Sequence, residues 1–329
     1  MEVDVTSEWR LETELSFDRT IDRHRVHRAA VAEVFLTDVR AFDEQRVVVA
    51  SQLPIDHGYF GDHTQQLPVV DPLLVMEVGR QASLAGAHES GVPNGAAMIS
   101  EDFDLRIIDP GALHIGAQPV ELLLDCVFTW TRVRRGRLRA GVCEQAIFRD
   151  GRLVANHRTT GQILTKNELD ALRTAQRGTP APWTADLVDV PDPAAVPSGL
   201  VGRRNPHNVV LADLRRGRDE LVARVAPRWT NRALFDHSYD HLTMQILTEA
   251  ARQLALTGVD DGSGVALRDW QVTGLAGTFS RFAELDAVVT VRTPIPVPSD
   301  GELVVPVSVE QDGESIATVE VALVLGGLR

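Results

Sequence analysis

The sequence predicts an α+β protein made of two similar halves, each a long antiparallel sheet curled around one apolar helix. Three observations predict it. The segments LLVMEVGRQASL from Leu73 and QILTEAARQLAL from Gln245 both read E-x-x-R-Q within an apolar helix, and their Glu positions, 77 and 249, lie 172 apart in a 329-residue chain. A repeat at that distance in a chain of that length favours two similar units of ordinary size. Around each helix the order of elements also repeats, with two strand-like runs before it and several after it. Finally, neither helix carries a wide polar face, as expected if strands cover most of it.

The elements follow in order. AVAEVFL at 30–36 and QRVVVAS at 45–51 read as the first two strands, and a polar, His-rich loop follows them. At Asp71-Pro72 a helix is expected to start, because Asp can cap the free N–H groups and Pro suits the first turn. It should run to about His88, before Gly91-Val92-Pro93. MISEDFDLRII, VELLLDCVFTW and RLRAGVCEQAIFRDGRLVANHRTTGQILT read as extended segments, the last with a hairpin turn at Arg149-Asp150-Gly151-Arg152.

Residues 166–200 carry Pro180, Pro182, Pro191, Pro193 and Pro197 with little periodicity, and read as a linker between domains at 1–165 and 201–329. In the second half NVVLADL and ELVARVA precede the helix. VALRDWQVTGLAGTFSRF, AVVTVRT, ELVVPVSVEQ and SIATVEVALVL follow it, with a matching turn at Gln311-Asp312-Gly313-Glu314. The glycine-rich run from Gly258 to Gly264 follows a helix instead of opening one, so it reads as a helix stop and not as a phosphate loop.

Composition narrows the function. With 44% hydrophobic and 24% charged residues the chain resembles an ordinary soluble globular protein, with nothing expected to span a bilayer. Its first residues alternate charges with single apolar side chains and lack the core of a secretory signal, so a cytoplasmic location is expected. Cys126 and Cys143 form no metal-spaced pair and read as buried thiols. A net charge of −13 argues against nucleic acid or an anionic membrane as partner. Two basic clusters stand out: Arg132, Arg134, Arg135, Arg137 and Arg139 around one turn, and Arg203, Arg204, Arg215, Arg216 and Arg218. Each reads either as a solvated hairpin tip or as a dock for an acidic carrier protein or a phosphate.

Together these elements resemble the hotdog fold in two tandem copies over nearly the whole chain. The sequence is similar to the A-factor (gamma-butyrolactone) biosynthesis hotdog family of actinobacteria. The resemblance rests on Asp56-His57 with Tyr59-Phe60, on Asp71-Pro72-Leu73-Leu74, and on the helix with Glu77, Arg80 and Gln81. In the second half its carriers are Leu234-Phe235, Asp240-His241 and Glu249-Ala250-Ala251-Arg252-Gln253. The family commonly has Pro-Gly soon after the second Asp-His, where this chain has Leu242-Thr243-Met244-Gln245. The first loop also resembles hydroxyacyl-carrier dehydratases, since His63 precedes Glu77 by fourteen positions.

The resemblance implies transfer of a 3-oxoacyl chain from acyl carrier protein to the hydroxyl of dihydroxyacetone phosphate, then ring closure to a butenolide phosphate. Such chemistry requires a base, donors for the thioester oxyanion and a cation for the phosphate. Glu77 and Glu249 are the candidate bases, since burial raises a carboxylate's pKa while a nearby Arg opposes the rise. His63 is a third candidate, through its dehydratase-like spacing. Arg80 and Arg252, with Gln81, Gln253, His57 and His241, are the candidate substrate-binding residues, because guanidinium can hold a phosphate bidentately. The bland alternative for each E-x-x-R is an ion pair that seals the seam between the halves. Two other functions stay open, a 3-hydroxyacyl-thioester dehydratase or thioesterase and a non-catalytic acyl-binding module. No cofactor and no metal are expected, and a homo-oligomer is compatible with the composition. Of the two copies, the second is expected to have drifted towards support, given its altered loop before Glu249.

Overall fold

A computed structural model describes residues 15–65, 68–259, 266–297 and 301–326. Most of the glycine-rich run, from 260 onward, and the first fourteen residues lie outside the described residues.

The first half begins with strands β1 (Leu36–Ala41) and β2 (Arg46–Gln52), followed by helix α1 (Pro72–Glu89). After α1 come β3 (Ala97–Ile107), β4 (Glu121–Arg134), β5 (Arg137–Arg149) and β6 (Arg152–Leu164). Helix α2 (Lys166–Arg177) opens the connection to the second half. That half has β7 (Leu211–Arg216), β8 (Glu220–Val225), the short β9 (His241–Leu242) and helix α3 (Met244–Val259). It closes with β10 (Trp270–Phe279), β11 (Ala283–Glu284), β12 (Val289–Pro294), β13 (Leu303–Gln311) and β14 (Glu314–Leu325).

The long strands form one twelve-stranded sheet in the order β1-β2-β4-β5-β6-β3-β10-β14-β13-β12-β8-β7. Its two halves meet where β3 pairs antiparallel with β10, from Gly274 opposite Arg106 to Thr278 opposite Asp102. Each half of the sheet wraps its own helix. Fourteen of the eighteen residues of α1 and fifteen of the sixteen of α3 are buried, which explains the missing polar faces. Close approach of sheet to helix depends on Gly79 and Gly86 in α1. A Cβ on Gly79 would lie 2.5 Å from the His157 ring, and one on Gly86 would lie 2.6 Å from the Phe128 ring. Both hairpin turns read from Asp-Gly form as such, with positive φ at Asp150-Gly151 and at Asp312-Gly313.

The helix starts as its sequence demands, with the Asp71 carboxylate accepting from the Leu73 N–H at 2.9 Å. Three local readings need correction. The run at 30–36 is not a strand: Val31–Glu33 form a 3-10 turn and β1 starts at Leu36. The backbone is diverted there because Gln81 occupies it, accepting from Phe35 N–H and donating to the Glu33 carbonyl. The second half repeats the device, with Gln253 accepting from Val210 N–H and donating to the Asn208 carbonyl, so β7 starts at Leu211 and not at Asn208. The segment after residue 165, read as linker, begins with helix α2. Thr165 and Glu168 form a capping box at its start, and Gly178 ends it with a φ of 71°.

Candidate functional site

Each E-x-x-R-Q segment builds a buried cluster, and each cluster recruits an Arg distant in sequence. Glu77 accepts from Arg80 Nε at 2.7 Å and Nη2 at 2.8 Å, and from Gln81 at 2.7 Å. Arg28 completes the set, 2.7 Å from Glu77. In the second half Glu249 accepts from Gln253 at 2.5 Å and lies 2.8 Å from Arg252 and 2.9 Å from Arg203. A carboxylate in a dry interior needs such pairing.

Both recruited arginines also bridge the halves. Arg28 is 3.2 Å from Asp236 and donates to the Gln245 side-chain oxygen. Arg203 donates to the carbonyls of Tyr59 and Asp62, and its guanidinium lies 4.3 Å from the centre of the Tyr59 ring. Arg203 is fully buried, so the reading of its cluster as a solvated tip fails for this residue. Neither bridge was drawn from the sequence, though a signal exists. Arg28 precedes Phe35, and Arg203 precedes Val210, by the same seven positions, and Asp56-His57-Gly58-Tyr59 parallels Asp236-His237-Ser238-Tyr239.

The clusters differ in where a further carboxylate sits: Asp236 pairs the recruited Arg28 in the first, and Asp71 pairs the helix-borne Arg252 in the second. The residue six positions before Glu249 is Thr243, and the residue six before Glu77 is Asp71. Asp71 reaches across the seam and takes Arg252 Nη1 at 3.0 Å on both carboxylate oxygens. The second cluster is thereby closed, with Arg252, Glu249, Asp71 and Arg203 all buried. In the first cluster Thr243 stands where Asp71 would, and Arg80 keeps 24% of its side chain exposed.

Arg80 opens onto a cavity of about 510 Å³ between the halves. Arg80, Ser83, Leu84 and Ala87 form its α1 wall, one stripe at helical spacing. Phe128, Trp130 and Met98 supply an apolar sheet wall, and Thr243, Met244 and Gln245 bring the start of α3 to the rim. Leu169 and Leu172 of α2 close another side. An apolar sheet wall set beside polar groups suits a chain with one polar end.

His241 lines the same cavity. Its Nδ1 lies 2.7 Å from Asp240 Oδ1, so Nδ1–H donates to the carboxylate and Nε2 is the ring nitrogen the carboxylate leaves unused. Arg173 of α2 holds the other Asp240 oxygen at 2.8 Å and also binds Glu284. Burial would raise the Asp240 carboxyl, but the His241 and Arg173 hydrogen bonds hold it below the usual carboxylate range. A second imidazole, His27, also lines the cavity, and burial with the Arg80 charge lowers its pKa to about 4.

The electrostatics change the role expected for Glu77. Burial pushes its pKa up, yet the Arg28 and Arg80 charges and the hydrogen bonds of Arg80 and Gln81 overcome it and hold it at about 2. The expected rise towards neutrality therefore does not occur. Glu77 is an ionised anchor for two guanidiniums and a poor base at neutral pH. The other candidates lie apart. His63 is buried, bonds the Val69 carbonyl at 3.2 Å and sits in the field of Asp71 and Arg252, so it belongs to the closed cluster. Burial, first, then Arg252, lowers its pKa against Asp71. His57 organises its own loop by accepting from the Tyr59 and Phe60 N–H groups. Cys126 and Cys143 are free and buried.

Two sheet-wrapped helices joined through β3 and β10 define a double hotdog. A sequence profile of the A-factor biosynthesis hotdog domain, AfsA, matches residues 9–165 and 185–325, and the chain belongs to that family. It is 34% identical over 300 residues to the 2-oxo-3-(phosphooxy)propyl 3-oxoalkanoate synthase of Streptomyces virginiae, covering 90% of this chain and 95% of that one. Among solved structures it resembles the 12:0-ACP thioesterase from Umbellularia californica, at 10% identity and a TM-score of 0.50, covering 84% of this chain and 94% of that one. It also resembles a putative oleoyl thioesterase from Lactobacillus plantarum, at 10% identity and a TM-score of 0.51, covering 85% and 96% respectively. These two likenesses concern the fold alone. No helix among the described residues is long and apolar enough to cross a membrane.

Proposed function

We propose that this protein is an acyltransferase that joins a 3-oxoacyl chain, delivered as a thioester on acyl carrier protein, to the hydroxyl of dihydroxyacetone phosphate. The product is a 2-oxo-3-(phosphooxy)propyl 3-oxoalkanoate, the ester in the name of the Streptomyces virginiae relative. Ring closure of that ester gives the butenolide phosphate precursor of a signalling lactone. The observation that carries the site assignment is Arg80 on the cavity wall, facing Thr243's side of the seam where the other half places a carboxylate.

Each requirement of the reaction has a candidate. Arg80, oriented by Glu77, binds the acceptor phosphate through its exposed edge, as guanidinium binds oxyanions. The apolar wall of Leu84, Phe128 and Met98 receives the acyl chain. His241 takes the hydroxyl proton on Nε2, and Asp240 steadies the imidazolium that forms. The alkoxide oxygen bonds to the thioester carbonyl carbon, the C–S bond breaks, and the imidazolium returns its proton to the leaving thiolate. Gln245 and the N–H groups at the start of α3 are the candidate donors for the intermediate oxyanion. Glu249, Arg252, Gln253 and His63 support the fold from the closed cluster.

Incubating the purified protein with a 3-oxoacyl thioester and dihydroxyacetone phosphate should give the phosphorylated ester or its butenolide by mass spectrometry. The reading fails if no such product appears and related three-carbon acceptors are also inert. His241→Gln should abolish turnover while leaving the folded protein able to bind acceptor.

A further inference from the structure

Two arginine-rich hairpins lie outside the reaction, β4–β5 and β7–β8 with its exposed Arg215, Arg216 and Arg218, and of the two it is β4–β5 that borders the cavity. Strand β2 pairs with β4 only as far as Val127, and β6 pairs with β5 only from Ala140 onward. The tip between them therefore projects beyond both neighbouring strands as a two-stranded finger. Arg132, Arg134, Arg135 and Arg137 are all exposed on it. Arg139 is held by Glu168 and Arg132 by Gln162, but Arg134, Arg135 and Arg137 have no carboxylate partner among the described residues.

Its turn is also built differently. The β5–β6 and β13–β14 turns place Asp before Gly in the left-handed region, whereas this turn places Arg135, at a φ of 52°, before Gly136. Asn, Asp and Gly are the residues that adopt that conformation readily, so a cation stands at a position that does not favour it. The finger also rises from the cavity. Trp130 and Gly141, paired across its base, line the cavity and are partly exposed, as is Gln162, the partner of Arg132.

We infer that this finger is the docking surface for an acidic carrier protein, which it orients so that the carrier's acyl thioester enters the cavity beside Trp130. The inference rests on the acyltransferase reading given above. It resolves a conflict of charge, because an acidic carrier is repelled by a chain of net charge −13 everywhere except at such a patch. A local field of opposite sign then selects the productive orientation and speeds encounter. The finger contributes nothing to the chemistry after delivery.

The test compares the parent with a variant carrying Arg134→Glu, Arg135→Glu and Arg137→Glu, and with its milder Gln counterpart. For a 3-oxoacyl carrier protein the Glu variant should lose roughly 10-fold or more in kcat/KM, with a flatter dependence on salt. For a 3-oxoacyl N-acetylcysteamine thioester, which needs no dock, kcat/KM should stay unchanged in both variants. Titration calorimetry with the acylated carrier reads docking without turnover and should show the same loss of affinity. Unchanged carrier affinity in the Glu variant overturns the inference, even if the finger binds another polyanion. Failure of the parent to turn over either thioester overturns the acyltransferase reading instead, while calorimetry still decides the dock.

Discussion

The two buried clusters are built from the same parts and end in opposite states. Both hold a Glu between two guanidiniums and a Gln, and both draw one Arg from before the first strands of their own half. In the second, Asp71 pairs Arg252 and the cluster is excluded from solvent, while in the first the further carboxylate, Asp236, pairs Arg28 and leaves Arg80 on a cavity wall, with Thr243 in the place of Asp71. The comparison separates what the motif does from what its neighbours allow. E-x-x-R-Q is a scaffold that positions guanidinium and diverts the backbone through its Gln. Its helix-borne Arg is sealed where the opposite half supplies Asp71 and stays on a cavity wall where it supplies Thr243.

The sharpest way to break this comparison is to disturb the closed cluster. Glu249→Gln leaves Arg203 without its buried carboxylate and Arg252 with only Asp71, and should cost about 3–5 kcal/mol of stability in urea unfolding. A loss below about 1 kcal/mol would mean the second cluster is wetter and less structural than its burial implies. Arg80→Ala should do the reverse. It should lower kcat/KM for the phosphorylated acceptor by roughly 100-fold, mostly through KM, with a smaller change in stability because the side chain is partly exposed. Equal losses with a dephosphorylated acceptor would show that Arg80 does not read the phosphate.

Thr243→Asp imports the closing residue into the open cluster, and should reduce acceptor affinity by roughly 10-fold, as measured by KM at constant ionic strength. The remaining effect concerns pH and is read in stability instead of turnover. Glu77 titrates near 2 in the folded protein against an ordinary 4.5, so its contribution to stability is complete above pH 4.5 and is lost as pH falls towards 2. Urea midpoints for the parent should fall over that window. Glu77→Gln should flatten that part of the curve, and an unchanged slope would remove the carboxylate from the account.

Much of this architecture was legible. The Asp71-Pro72 start, the two Asp-Gly turns, the succession of strands and helices along the chain and the pairing of Glu77 with Arg80 depend on neighbours in sequence, and periodicity and capping report such neighbours well. Partners far apart in sequence were not legible. Nothing in AVAEVFL shows that a Gln forty-six positions later will take its backbone groups, so an apolar run read as a strand became a turn. Arg28 and Arg203 were hidden for the same reason, and Arg203 doubly so because four other arginines share its cluster. Helix α2 was obscured by the prolines that follow it, although Thr165-Lys166-Asn167-Glu168 spells a capping box and Gly178 a stop. The orientation of His241 depends on Asp240 and on Arg173 in that same helix, which places one of the cavity's ordering contacts in the segment that looked least structured.

The two halves share one sheet through β3 and β10 and one polypeptide through the segment that begins with α2, and this has a consequence for redesign. In a pair of identical subunits every substitution is written twice, once in each symmetry-related cleft. Here a change is written once. Asp71→Asn removes the carboxylate charge facing Arg252 while keeping an N-cap on α1, and Thr243 can be varied without adding a carboxylate to the sealed cluster. A second binding site could thus be carved beside Arg252 while the first keeps working, an independence that exact symmetry would forbid.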